Sequence, residues 1–156
     1  MEILLIRHGS TGVKRGERAG FGPDGAPLSE QGIIEAKALA EQLAALGIDL
    51  AHEPTAVSPM LRTRQTAELA GLRNLRIEPL ISEVNSGLDV QTVDAMLSRR
   101  EVPEQVLAAA KMVLENPPTE RIWVTHGFLI AGLCGALEQV QEPFMADCGS
   151  IRRLTI

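Results

Sequence analysis

The feature that most constrains this chain is a series of short apolar runs, each ending in a polar group beside a turn or a helix-start signal. The first, residues 3–6 (Ile-Leu-Leu-Ile), stops at Arg7-His8-Gly9. An unalternating apolar run of this length is what a strand buried on both faces of a parallel sheet requires. Gly9 allows a sharp turn and a close approach of the backbone to a ligand. In open α/β sheets ligands bind at the carboxyl ends of the strands, which is where Arg7 and His8 fall. An imidazole beside a guanidinium pairs a nucleophile or base with an anion clamp. Alone, the triplet fits two solvated residues at a strand end equally well, so the downstream pattern decides.

That pattern repeats. Residues 10–27 read as a long loop over the sheet edge, with Lys14, Arg15 and Arg18 as cations that could attract an anion. Ser29 caps a helix whose apolar positions Ile33, Ala36, Leu39, Leu43 and Leu46 recur at helical spacing, and Gly47 ends it. Thr55-Ala56-Val57 is a second strand. Ser58 is then expected as a helix cap, with Pro59 at the first helical position. Arg62 falls in the first turn of that helix, where the dipole favours negative charge; a cation there makes sense if an anion lies between it and the strand ends. Residues 75–80 form a third strand candidate, followed by Ile81-Ser82-Glu83. Residues 90–100 and 103–115 read as helices, 121–125 as a buried strand ending at His126-Gly127, 128–137 as the next helix and 151–156 as a closing strand. Strands alternating with helices predict an α/β fold with three α/β/α layers and a mainly parallel central sheet. Candidate site residues follow successive strands and converge if those strands are parallel neighbours.

Composition narrows the function. A chain of 156 residues is read as one domain, 1–156. A net charge of −5 offers no basic stripe for nucleic acid. Cys134 and Cys148 make neither a disulfide framework nor a metal cluster, and a reducing cytoplasm is the expected setting. No basic segment followed by a long apolar stretch opens the chain, and the apolar run 122–137 is too short to cross a membrane. A soluble cytoplasmic domain without metal, cofactor, nucleic-acid or membrane partner is expected.

With these residues in hand, the chain resembles the histidine phosphatase superfamily, also called phosphoglycerate mutase-like. Arg7-His8-Gly9 matches its signature triplet. Phe21-Gly22 with Pro27-Leu28-Ser29-Glu30-Gln31-Gly32 is similar to its loop and helix start. Ser58-Pro59-Met60-Leu61-Arg62-Thr63-Arg64-Gln65-Thr66-Ala67 resembles its second-arginine motif, and Thr125-His126-Gly127 its second histidine. The resemblance implies His8 as the nucleophile accepting a phosphoryl group, with Arg7, Arg62 and His126 on the phosphate oxygens and Glu83 as the acid. Gly9, Lys14 and Gly127 are implied as substrate-binding positions. Phosphate monoesters resist hydrolysis so strongly that positioning and fixed charge must supply most of the acceleration. Arginines provide planar, permanent donors for that purpose. A covalent phosphohistidine divides one hard displacement into two easier ones.

The sequence departs from the family at several points. Ser10 stands where many members carry an acid, Lys14 where mutase-like members carry an asparagine, and Glu35 where a glutamine is common. Gly87-Leu88-Asp89 replaces a tryptophan-and-acid continuation, and Cys148-Gly149-Ser150 replaces an asparagine before the last strand. A small cap region at about 84–118 suits a phosphorylated small molecule or a phosphoprotein as substrate. The expected activity is therefore that of a metal-independent phosphatase. The alternatives are phosphoglycerate mutase-type phosphoryl transfer and a non-catalytic phosphate- or phosphoprotein-binding module.

Overall fold

The computed structural model describes residues 1–13, 21–84 and 89–156. Eleven short segments alternate along it: β1 (Glu2–Arg7), α1 (Glu30–Ala45), β2 (Thr55–Val57), α2 (Leu61–Leu69), β3 (Leu75–Ile77), a 3₁₀ turn (Pro79–Ile81), α3 (Val90–Arg99), α4 (Glu104–Glu115), β4 (Ile122–Thr125), α5 (Gly127–Ala136) and β5 (Ile151–Thr155). The strands form one sheet in the order β3-β2-β4-β1-β5. Every pairing is parallel except that of β5, which runs antiparallel to β1 along one edge.

The apolar runs of β1 and β4 are unalternating because both faces of the sheet are covered. On one face Leu4, Ile6, Val57, Ile122 and Val124 pack against Leu39 and Leu43 of α1 and Ala67 of α2. On the other, Ile3, Leu5, Ala56 and Trp123 meet Ala110 and Val113 of α4 and Leu129, Ile130 and Leu133 of α5. The expected three-layer α/β/α arrangement results. Each large side chain removed from water in these layers contributes ~1.5–3 kcal/mol. On edge strand β5, by contrast, burial alternates, with Arg152 and Leu154 inward and Arg153 and Thr155 outward. Helix α4 belongs to the core layer, whereas Val93 and Met96 of α3 are buried outside both clusters.

Two local expectations give way. Ser58 does not cap α2: the helix begins at Leu61 with Met60 at the cap position and no side-chain cap, because the Ser58 hydroxyl is turned to His126 instead. The third strand ends at Ile77, not at residue 80, since Pro79 has no N–H to continue a ladder and opens a 3₁₀ turn capped by Glu78. Ser29, in contrast, caps α1 as expected, accepting from Gly32 N. Among the described residues no helix is long and apolar enough to cross a membrane.

Candidate active site

Sheet register assembles the site. Arg7 on β1 lies opposite Thr125 on β4 in a parallel pair, so the next residues, His8 and His126, leave adjacent strands side by side. Their rings lie 5.2 Å apart at 64°. A backbone hydrogen bond from His8 N to Thr125 O keeps that register beyond the last paired residue. Arg62 enters from the first turn of α2. Glu83 arrives beyond the 3₁₀ turn after β3, a segment tied to β4 where the Thr125 hydroxyl donates to Ile81 O at 2.6 Å.

His8 is held in one orientation and tautomer. Its Nδ1 is 2.7 Å from the carbonyl of Gly9. A carbonyl can only accept, so Nδ1 carries the hydrogen and Nε2 keeps its lone pair. That nitrogen faces Arg62, whose Nε–H donates to it at 3.3 Å. Burial, with His126 and the two arginines nearby, lowers the pKa of His8 from 6.5 to about 3, overcoming the opposing Gly9 hydrogen bond. The imidazole is neutral at physiological pH.

Around it lie the charged groups. Arg62 Nη2 donates to Glu83 Oε2 at 2.7 Å, and His126 Nδ1 lies 3.3 Å from the same oxygen. Burial pushes the Glu83 carboxyl up, but the His126 hydrogen bond and charge, joined by Arg62, outweigh it and hold the group well below the usual carboxylate range. The Ser58 hydroxyl is 2.7 Å from His126 Nε2 and fixes the ring from behind. Arg7 donates through Nη1 to Ala146 O at 2.5 Å, while its buried Nε has no partner among the described residues. Arg7, His8, Arg62, Glu83 and His126 thus converge as the sequence reading expects. Lys14 lies outside the described residues.

The glycines also have packing roles. Gly9 donates its N–H to the Thr66 hydroxyl, and its carbonyl faces His8 Nδ1. Its missing side chain is demanded by α1: a Cβ would stand 2.5 Å from Gly32 O, and one on Gly32 would run into Ser10 O. At Gly127 a Cβ would lie 2.9 Å from the Arg7 guanidinium, so glycine there makes room for the arginine.

Four supporting residues escape a reading based on motif roles. Thr66, one turn after Arg62, accepts from Gly9 N and donates to Arg62 O, tying α2 to the nucleophile's loop. Its helical spacing from Arg62 was an available signal. Ser10 and Glu35 form one unit, the Glu35 carboxylate accepting from Ser10 N and Oγ at 2.8 Å each. The two departures from the family pattern therefore meet in one contact. Ala146 contributes only a carbonyl, which no side-chain pattern announces.

The His8, Glu83 and His126 ligand atoms all lie within 4.8 Å of one another, a donor set that suits a transition metal. The Arg62 guanidinium donates to both His8 and Glu83, so these ligand atoms share the site with a fixed cation whose N–H groups suit an anion.

Known proteins agree with this geometry. The model of the histidine phosphatase superfamily (branch 1) matches residues 3–93, over half of the chain. An uncharacterized protein of Picosynechococcus sp. is 35% identical over 82 residues, which is 52% of this chain and 46% of that protein, so the match spans about half of that relative's length. The crystal structure of TTHB049 from Thermus thermophilus shares 26% identity, with 99% of this chain and 93% of that one covered at a TM-score of 0.70. A structure described as phosphoglycerate mutase from the same organism shares 26% identity, covering 99% and 92% at a TM-score of 0.67. With the Arg-His-Gly triplet, the second arginine and the second histidine on neighbouring strand ends, the chain belongs to the histidine phosphatase superfamily.

Proposed function

We propose that this protein is a phosphatase that hydrolyses phosphate monoesters or phosphorylated protein side chains through a phosphohistidine on His8. One observation carries the reading: His8 is locked as the neutral tautomer with its Nε2 lone pair facing Arg62 in a buried cluster. Arg7, Arg62 and His126 supply donors for the nonbridging oxygens. His8 Nε2 attacks phosphorus as the ester P–O bond breaks, and protonated Glu83 gives its hydrogen to the leaving oxygen. Water then attacks the phosphohistidine, Glu83 takes its proton, the N–P bond breaks and phosphate leaves. No step in this scheme needs a metal. Among the described helices only α3 stands outside both core clusters, a short helical cap that supports a bulky substrate such as a phosphoprotein, with the loop at Asp24 and Gly25 lying against α2 and Arg62. A cytoplasmic setting suits such substrates.

The test is trapping with a radiolabelled aryl phosphate, quenched in alkaline detergent because phosphohistidine survives base and not acid. Label on the wild type and none on His8→Ala, with steady phosphate release, is the expected result. Turnover without label would replace covalent catalysis by direct attack of water. Binding of phosphate without turnover would make the protein a binding module, and transfer of label to an added hydroxyl acceptor in preference to water would make it a mutase.

A further inference from the structure

The Arg62–Glu83 contact has a consequence for the order of events. We infer that an entering phosphoryl group displaces Glu83 from Arg62 and that the carboxylate then takes up a proton, so that binding of the substrate creates the acid that cleaves it. This rests on the phosphatase reading and specifies how its site is regulated.

The geometry carries the inference. The buried Arg62 guanidinium points Nη2 at Glu83 Oε2 (2.7 Å) and Nε at His8 Nε2 (3.3 Å). These are the donors an anion beside His8 needs, so Glu83 stands where a phosphate oxygen would stand. A carboxylate held by a guanidinium is a base and cannot donate a proton. Once Arg62 turns its donors to a dianion, Glu83 loses one of its two partners, His126 staying 3.3 Å away, and gains a negative neighbour while remaining only 13% exposed. Each change favours the neutral carboxyl, and burial, already the largest influence on the group, acts in the same direction. The titratable and charged groups facing Glu83 are His8 beyond β1, Arg62 on α2 and His126 at the start of α5, with Arg7 beside His8. Of these only the histidines could take the proton instead.

The proton comes from solvent. It resides on Glu83 while phosphate is bound and passes to the leaving oxygen as the His8 N–P bond forms and the ester P–O bond breaks. Charge and atoms balance without a further reactant.

Sulfate is the probe, because it remains a dianion near neutral pH and brings no proton of its own. Calorimetric titration of the full chain at about pH 6.5, in buffers of different ionisation enthalpy, counts protons taken up on binding. Uptake of about one proton is expected for the wild type and for His8→Asn, and almost none for Glu83→Gln. Glu83→Gln should also bind sulfate roughly tenfold more tightly, as no charge-assisted hydrogen bond has to be broken first. Equal uptake by wild type and Glu83→Gln would assign the proton to a histidine and overturn the inference, as would loss of uptake in His8→Asn. Sulfate binding by the wild type without uptake would overturn it too, while leaving the phosphatase reading intact. Failure of the wild type to bind sulfate or phosphate at all would remove the anion site and both proposals together. If Glu83→Gln does not fold, Glu83→Ala provides the same comparison.

Discussion

Two arginine–carboxylate pairs in this molecule look alike on paper and do different things. Arg76 on edge strand β3 grips Glu120 with two hydrogen bonds, of 2.5 and 2.9 Å, and also reaches Glu78. Its side chain is 49% exposed. Arg62 holds Glu83 by one hydrogen bond of 2.7 Å, with side chains 8% and 13% exposed, and shares its guanidinium with His8. The two carboxylates are similarly covered, Glu120 at 9% and Glu83 at 13%, so the difference lies at the arginines: water reaches and screens the half-exposed Arg76 but not the buried Arg62. The inner pair lies in a buried setting and shares its atoms with His8 and His126, so its charges act strongly on their neighbours. Hydrogen-bond count is therefore a poor guide to importance here; burial and neighbours decide.

Breaking the inner pair should give the largest effect. On the proposed phosphatase reading, Arg62→Ala removes a donor to the transferring phosphoryl group and leaves Glu83 with His126 as its remaining charged partner, so turnover of an aryl phosphate should fall by about 10²–10³-fold. Arg62→Lys should recover only part of this, since an ammonium cannot contact His8 and Glu83 through a planar fork. Full activity in Arg62→Lys would show that a point charge suffices and would weaken the contrast.

A second effect concerns acid stability. The folded-state pKa of His8 is lowered from 6.5 to about 3, so between these values the unfolded chain binds a proton that the folded protein does not. Stability is then lost as pH falls through that window, with this one group accounting for about 1.4 kcal/mol per pH unit. Glu83, also depressed, adds to the loss below its ordinary value of 4.5. Denaturant unfolding of His8→Gln from pH 6.5 downward should show a shallower decline than wild type. An identical slope would mean that His8 titrates in the folded protein as it does in the unfolded chain.

The smallest effect belongs to the outer pair. Arg76→Ala should cost at most about 1 kcal/mol of stability, less in high salt, and leave phosphate turnover unchanged. A marked loss of activity would reveal that the Arg76–Glu78 contact, which precedes the turn leading to Glu83, transmits strain to the site, and the two regions could no longer be treated as independent.

What could be read along the chain was what local chemistry dictates. The runs that become β1, β2 and β4 are apolar because both faces are covered, and polar residues at their carboxyl ends follow from that burial. Helix α1 declares itself through Ser29 and its apolar spacing. Arg7, His8, Arg62 and His126 were legible as residues placed at strand ends or a helix start, whereas Glu83 lies beyond the 3₁₀ turn that follows a shorter β3 than expected. The errors occurred where a distant partner overrode a local preference. Ser58 is a good cap by propensity, yet His126, far away in sequence, takes its hydroxyl. Glu35 looks like a neutral exchange until Ser10 is found against it.

Tertiary structure alone decided the rest. The order β3-β2-β4-β1-β5 inserts β4 between strands that precede it in the chain, and only this brings His126 beside His8. The chain sets each residue's chemistry, but proximity depends on pairings through backbone groups that are the same in every residue. The carbonyls of Gly9 and Ala146, which orient His8 and Arg7, carry no side-chain signature and become visible only when the backbone is in place.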